Sequence, residues 1–129
     1  MEYITKNHSK YLLMYHFIFV VKYRKQIIDR FPIKEIFETI QTNQNFEILK
    51  METDIDHIHL LIQSEPKIAP VQIVKRLKQI STNCLWKQYK NILEKEFWKE
   101  KTFWSDGYFV CSVGNISEET LRRYIDEQG

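Results

Sequence analysis

Apolar and polar residues alternate along this chain with two different periods, and the changes of period mark its elements. Residues 12–23 are rich in aromatic and β-branched side chains, which is typical of a β-strand. Residues 46–52 and 56–63 show the period-two alternation of two half-buried strands, and only a short connection separates them. These two segments therefore predict an antiparallel hairpin.

Apolar residues recur at helical spacing in two further regions. The first helix is predicted to begin at Pro32, and its apolar positions are Ile33, Ile36, Phe37 and Ile40. A polar loop at 64–70 precedes a longer helix, which the charged segment 91–102 extends or caps. The apolar stripe predicted for that helix comprises Ile73, Leu77, Ile80 and Cys84.

The end of the chain predicts one more strand region and one more helix. Residues 103–113 are aromatic and β-rich around Asp106 and Gly107, so they form either one bent strand or two short ones. Ser117 is a good N-cap, and acidic residues follow it in the first turn of a helix that continues over residues 121–128.

The order strand, helix, strand, strand, helix, strand is that of a ferredoxin-like split βαβ unit. We therefore predict an α+β fold, an antiparallel sheet with an added C-terminal helix, in a single domain over residues 1–129. Helices on one face of such a sheet leave the other face free for a ligand or partner.

Composition narrows the class of protein without naming a function. The 129 residues are 43% hydrophobic and 28% charged, as in an ordinary globular protein, and the net charge of +2 does not by itself indicate nucleic-acid binding. Cys84 and Cys111 lie in apolar surroundings and are expected to be buried free thiols, although one disulfide is possible. The polar N-terminus and the absence of a long apolar run predict a cytoplasmic protein with no membrane span.

Two histidines are the first candidates for chemistry. His57 and His59 lie one residue apart in the strand predicted over residues 56–63, so both imidazoles project from one face. Two imidazoles side by side form half of a site for a divalent metal. The alternative, which is more common for an isolated pair, is two strand histidines that are bonded to neighbours or water.

Tyr124 and Gln128 are the next candidates, because residues four apart project from one face of a helix. A phenol is a poor nucleophile at neutral pH, but near a metal-bound phosphate it can attack phosphorus. The amide oxygen of Gln128 is able to bind the same metal. The alternative is an ordinary amphipathic helix in which Tyr124 packs beside Leu121 and Ile125.

Basic residues cluster in two places, after the first strand and on the long helix. These candidate phosphate contacts are Lys22, Arg24, Lys25, Lys75, Arg76 and Lys78. Aromatic residues beside them, such as Tyr23, make base stacking feasible. The alternative is that these side chains only keep the surface soluble.

In this order along the chain, the motifs resemble those of the single-tyrosine HUH transposases of small insertion sequences. The segment YHFIFVVKYRK at 15–25 looks like the opening strand and basic turn, and METDIDHIHLL at 51–61 is similar to the metal strand. Arg76-Leu77-Lys78 resembles part of the long helix, and residues 107–110 with 113–114 resemble the last strand. Tyr124-Ile125 with Gln128 matches the nucleophile helix.

The resemblance implies a metal-dependent transposase that acts on single-stranded DNA. By this likeness His57, His59 and Gln128 hold Mg²⁺ or Mn²⁺, and Tyr124 forms a 5′-phosphotyrosine intermediate through which transposon ends are cut and rejoined. It also implies DNA hairpins at those ends as partners and a homodimer whose active site is completed in cis or in trans. Because the chain stops one residue after Gln128, its last helix is expected to be less firmly docked than in relatives with a longer tail.

Two other classes of protein remain open from the residues alone. A ferredoxin-like module that binds nucleic acid without cutting it keeps the basic clusters but needs neither the histidine pair nor Tyr124. A small-molecule sensor has no supporting feature in this chain. Covalent attachment to labelled single-stranded DNA separates the transposase from the binding module.

Overall fold

A four-stranded antiparallel sheet organises the part of the chain that the computed structural model describes, residues 4–6, 9–11, 13–42, 44–112 and 125–127. Two 3₁₀ turns, Lys22–Arg24 and Ile28–Arg30, lie between the first long strand and the first helix. The elements in chain order are β1 (Ile4–Lys6), β2 (Ser9–Tyr11), β3 (Leu13–Val20), α1 (Ile33–Gln41), β4 (Phe46–Thr53), β5 (His57–Ser64), α2 (Pro70–Phe97) and β6 (Phe109–Ser112).

The strand order β4-β5-β3-β6 confirms the predicted ferredoxin-like arrangement. Strand β5 lies between β4 and β3 and runs antiparallel to both, and β6 pairs with the outer edge of β3. The hairpin predicted from the two alternating segments is β4–β5, with Phe46 opposite Ser64. The fold is therefore α+β, as the order of elements indicated.

One face of the sheet packs against the helices and forms the core. Ile58, Leu60 and Ile62 alternate along β5 as fully buried residues, and their partners on β3 include the fully buried Phe19 and Phe17. The period of two explains this arrangement, since every second side chain of a strand points to the same face. The residues between them, including His57 and His59, project from the opposite face.

Three features of the strands differ from the sequence-based prediction. Strand β3 ends at Val20 rather than continuing to Tyr23, because Tyr23 and Arg24 take positive φ values of 62° and 49° that no strand allows. A short hairpin, β1–β2, precedes it and was not predicted. In β4 a bulge between Ile48 and Lys50 shifts the alternation, so that Lys50 pairs on the open face.

The apolar stripe predicted for α2 is partly wrong. Ile73 and Leu77 are buried as expected, but Ile80 is 40% exposed and Cys84 is only half-buried. The buried face of α2 continues instead through Ser81 and Leu85. Residues four apart lie along the same side of a helix, and in α2 this side is the buried one.

The aromatic region that begins at Phe103 forms one isolated bridge and then one short strand, β6. Trp104 pairs with Val21, and β6 begins only at Phe109. Both cysteines are free thiols, as predicted, but the expected burial is wrong because each is only half-buried. No helix in the described ranges combines the length and the apolar character that a bilayer span requires.

Candidate active site on the open face of the sheet

The two histidines of β5 lie on the open face, as the sequence predicted. His57 is opposite Val20 and His59 is opposite Ile18 in the antiparallel register with β3. Neighbouring β4 places Glu52 opposite His59. The pair of imidazoles is thus held by the central strand of a sheet, which fixes the backbone beneath both rings.

A buried carboxylate orients the first imidazole. Asp56 is only 7% exposed, and its Oδ1 accepts a hydrogen bond of 2.8 Å from Nδ1 of His57. A neutral imidazole that donates through Nδ1 has its lone pair on Nε2. The carboxylate therefore fixes the tautomer in which Nε2 of His57 can bind a cation, an arrangement common around metal-binding histidines.

A third histidine, from β3, orients the second imidazole. Nδ1 of His16 lies 2.9 Å from Nε2 of His59, and the ring centroids are 5.0 Å apart. Burial, reinforced by the neighbouring His16, lowers the pKa of His59 below its ordinary value of 6.5. His59 is therefore neutral near pH 7, which is the form that ligates metals.

The imidazoles line a groove of about 480 Å³ together with the helical residues 125–127 near the chain end. Ile125 and Asp126 both contribute to its wall. Arg24 connects the two sides, because its Nε donates to Asp56 at 3.2 Å and its Nη2 lies 3.7 Å from Asp126. The turn after β3 thus connects the helical segment 125–127 with the histidine strand.

The groove has the electrostatics of a cation site. Carboxylates outnumber the single guanidinium on its walls, and they belong to Glu52, Asp54, Asp56 and Asp126. Such a negative groove attracts a divalent cation and repels a bare phosphate. Within the described ranges no group of three or more His, Cys, Asp or Glu side chains has the geometry of a metal site, so the two imidazoles need a further ligand.

Two of the predicted site residues, Tyr124 and Gln128, lie outside the described residues. The described residues nearest to them in sequence, Ile125 and Glu127, belong to the helical segment 125–127, and Ile125 faces the histidine groove.

The six basic residues proposed as phosphate contacts fall in different surroundings. Arg24 lines the histidine groove, whereas Lys22 pairs with Glu100 and Lys25 lies 3.4 Å from Glu96. These contacts leave the first cluster largely paired with carboxylates.

The three candidate phosphate contacts on α2 also lie in different surroundings. Lys75 and Lys78 line a second groove of about 520 Å³, between α2 and the segment that follows it. The ammonium of Lys78 donates to the carbonyls of Ser105 and Gly107, and burial lowers its pKa to about 8. Arg76 donates to Gln44, so Lys75 is the most exposed member of this set.

Three residues in or beside the groove have roles that the sequence did not predict. His16 was given only as part of the segment at 15–25, and Asp56 only as the start of a strand. Arg24 was expected to bind phosphate, but here it connects Asp56 with Asp126. Asp56, directly before His57, was a signal within reach, because a carboxylate beside a histidine pair often orients it.

Comparison with known proteins gives a consistent picture. The family model for IS200-like transposases matches residues 9–128. The chain is 31% identical over 121 residues to the ISDra2 transposase TnpA of Deinococcus radiodurans, which covers 92% of this chain and 85% of that protein. It is 30% identical over 124 residues to the transposase for insertion sequence element IS200 of Salmonella typhimurium, covering 94% and 80%.

Solved structures share the fold. A crystal structure of a candidate transposase from Deinococcus radiodurans R1 superposes with a TM-score of 0.81 at 28% identity, over 97% of each chain. A REP-associated tyrosine transposase bound to a REP hairpin shares the fold at a TM-score of 0.58 and 13% identity, over 96% of this chain and 70% of that one. From the family match over residues 9–128 and these relatives, we conclude that the chain belongs to the IS200-like transposases and is an enzyme that processes DNA.

Proposed function

We propose that this transposase cuts and rejoins single-stranded DNA through a covalent phosphotyrosine at Tyr124, with a divalent metal held beside His57 and His59. The observation that carries the proposal is the shared groove, in which the residues directly after Tyr124 in sequence face the histidine pair. Family membership supports a DNA-processing reaction, and the proposal uses the groove as the place where a phenol and a scissile phosphate meet.

The chemistry is an exchange of one phosphate ester for another. The phenol oxygen of Tyr124 loses its proton and attacks phosphorus, an O–P bond forms, and the bond to the 3′-oxygen breaks. The DNA 5′-phosphate is then esterified to tyrosine, and the other end leaves as a 3′-hydroxyl. Attack by a different 3′-hydroxyl reverses the step, so DNA is rejoined without ATP.

Metal ligation in this proposal uses His57, His59 and the amide oxygen of Gln128. The donor set suits Mg²⁺ or Mn²⁺ when water and phosphate oxygens complete it, and the negative groove favours a cation of either kind. When bound, such a cation withdraws charge from the scissile phosphate and stabilises the charge that develops during attack. Asp56 and His16 keep the two rings in fixed orientations, so little reorganisation is needed.

For the substrate, we propose hairpins at transposon ends. The REP-associated tyrosine transposase that shares the fold is bound to a REP hairpin, which supports a hairpin ligand for this chain as well. Lys75, the most exposed of the three candidate phosphate contacts on α2, is proposed to contact the DNA backbone. A homodimer is part of this proposal, and its sites take their tyrosine in cis, since Ile125 and Asp126 line the groove of their own chain.

The test is a covalent adduct between the protein and labelled single-stranded DNA carrying a candidate end. In Mn²⁺ the native protein is expected to give a labelled band that survives denaturing electrophoresis, and a chelator is expected to abolish it. Tyr124→Phe should bind the DNA but give no band, because the ring remains while the nucleophilic oxygen is gone. Tyr108→Phe is the matched control, since Tyr108 lies away from the histidine groove.

The competing function is a binding module that does not cut DNA. Tight binding of the native protein to the end sequence with no covalent band in either Mg²⁺ or Mn²⁺ would favour that module and contradict the proposal. An equally strong band from Tyr124→Phe would remove Tyr124 from the reaction, and an undiminished band in excess chelator would remove the metal.

A further inference from the structure

Two aromatic side chains remain largely exposed on the surface beside the turn after β3. Tyr23 is 57% exposed and Trp98, directly after α2, is 78% exposed. The hydroxyl of Tyr23 donates to Glu100 at 3.1 Å, and its ring lies 6.5 Å from that of Phe97. These contacts connect Tyr23 to the end of α2, where Trp98 follows Phe97. We refer to Tyr23 and Trp98 together as the aromatic patch.

The backbone at both residues is unusual for large side chains. Tyr23, Arg24 and Trp98 are the non-glycine residues with positive φ in the described ranges, at 62°, 49° and 59°. Trp98 combines its φ with a ψ of −126°, a conformation that glycine adopts far more readily than any other residue. Because the indole is also exposed, neither burial nor backbone preference accounts for tryptophan at this position. Such strain is typical of binding surfaces.

Cations surround the aromatic patch. Nζ of Lys22 lies 5.7 Å from the centroid of the Tyr23 ring, and Nζ of Lys25 lies 5.8 Å from that of Phe97. Lys99 and Lys101, which follow Trp98, are exposed. Glu100 and Glu96 balance part of this charge by pairing with Lys22 and Lys25. Exposed rings among lysines are the recurring chemistry of sites that bind single-stranded nucleic acid.

Arg24 links the patch to the histidine groove, because it lines that groove. Arg24, the residue after Tyr23, donates to Asp56, and Asp56 in turn accepts from His57. The turn after β3 therefore carries both a residue of the patch and a residue of the groove.

We propose that Tyr23 and Trp98 form a stacking surface for bases of single-stranded DNA, with neighbouring lysines facing the phosphates. The inference rests on the proposed function, since it names where the single strand beside the reactive phosphate is held. Stacking is tolerant of sequence, because every base has a flat aromatic face. The patch therefore contributes affinity rather than recognition of a particular sequence.

Intrinsic tryptophan fluorescence tests this directly, because the three indoles differ in exposure. Trp86 and Trp104 are 8% and 4% exposed and donate to Thr102 and Ser81, whereas Trp98 is 78% exposed, so quenching by added DNA is expected mainly from Trp98. A short oligothymidylate is titrated into the native protein in a chelator, where no cleavage occurs. The expected result is quenching that saturates with binding and is absent in Trp98→Phe.

Affinity is measured in parallel with a labelled oligothymidylate. Trp98→Ala is expected to weaken binding by roughly tenfold to a hundredfold, the loss that removing one stacked base brings. Trp98→Phe keeps an aromatic face and should recover most of that loss. Leu49→Ala is the matched control, because Leu49 is another exposed apolar residue, 43% exposed, on β4. Trp98→Gly should bind the oligothymidylate as weakly as Trp98→Ala does. Its unfolding temperature should equal or exceed that of Trp98→Ala, since glycine suits this backbone.

Two results would overturn the stacking surface. One is DNA affinity in Trp98→Ala equal to that of the native protein, with no quenching in the native protein. The other is unchanged DNA affinity in Trp98→Ala together with a change of oligomeric state in sedimentation, which would assign Trp98 to a protein interface.

The outcome is separable from that of the phosphotyrosine proposal. If no covalent adduct forms but affinity still depends on Trp98, the stacking surface stands and the reaction does not. If both proposals are correct, Trp98→Ala should need a higher DNA concentration for half-maximal adduct formation. Its adduct yield at saturating DNA should equal that of the native protein.

Discussion

Asp56 acts on two partners at once. Its Oδ1 accepts from His57 and its Oδ2 accepts from Arg24, so one nearly buried carboxylate fixes an imidazole and also the arginine that lies against Asp126. Removing its charge should loosen both connections while leaving the strand intact, since the backbone carbonyl of Asp56 still accepts from Val21.

Asp56→Asn is therefore expected to lower the affinity for Mn²⁺ by roughly 10- to 100-fold, the usual effect of removing the carboxylate behind a ligating histidine. Isothermal titration of the variant and the native protein with Mn²⁺ measures the change, and circular dichroism verifies that both are folded. Glu94→Gln is the control, because that carboxylate pairs only with Lys90 on the surface of α2. Native affinity in Asp56→Asn would show that the carboxylate does not orient a ligand.

The spacing of residues along the sequence predicted some contacts of the site and missed others. That His57 and His59 share a face follows from the two-residue period of a strand, which is a local property of the chain. His16 and His59 are 43 residues apart in sequence, and their contact depends on the register between β3 and β5. No local pattern fixes that register. The connection of Arg24 to Asp126 likewise depends on how distant parts of the chain pack.

Among the elements, α2 does more than cover the sheet. Helix α2 also binds the irregular segment that follows it, because the indole of Trp86 donates to Thr102 and that of Trp104 donates to Ser81. Lys78 adds bonds to two further carbonyls of the same segment. This segment, which pairs with the sheet at the bridge between Trp104 and Val21, is thereby also held against the core by side chains of α2.

Ser81→Ala tests this anchoring. Ser81 is fully buried, and the Nε1 of Trp104 reaches its Oγ at 3.0 Å. The substitution leaves a buried indole N–H without its acceptor, and the expected loss in the free energy of unfolding is about 1–3 kcal/mol. Urea denaturation measures this loss. Asn83→Ala, on the exposed side of α2, should change stability by less than about 0.5 kcal/mol. Equal stability of Ser81→Ala and the native protein would contradict the anchoring role.

The existence and order of the central elements followed from the sequence, but their ends did not. Periodicity predicted both helices and the β4–β5 hairpin, because each pattern extends over many residues. The end of β3 and the end of α2 depend on Tyr23, Arg24 and Trp98, whose positive φ values no pattern of apolar residues indicates. The burial of Ser81 in place of Ile80 reflects the particular angle at which α2 meets the sheet.

For the whole molecule, the division of the sheet into two faces explains how one small chain combines stability with chemistry. The helices bury one face, and the other presents three histidines, a negative groove and the end of the chain. Because Ile125 and Asp126 line the groove of their own chain, we propose that each subunit supplies its own tyrosine.

A mixing experiment tests the origin of the tyrosine in a dimer. Tyr124→Phe and His57→Ala are each expected to be inactive, and a mixture of the two refolded together should stay inactive if each active site uses its own tyrosine. Appearance of the covalent band in the mixture would mean that one subunit's Tyr124 serves the other's histidines. The native protein refolded with either variant is the control for recovery of activity.

The central claim is that the oxygen of Tyr124 becomes bonded to DNA phosphorus. Mass spectrometry of peptides from the trapped adduct measures this most directly, after nuclease has removed all but the attached nucleotide. The expected result is one modified peptide, carrying a nucleotide phosphate on Tyr124, that forms with Mn²⁺ and is missing in chelator and in Tyr124→Phe. A modified peptide that contains another residue instead, or an adduct that Tyr124→Phe also forms, would contradict it.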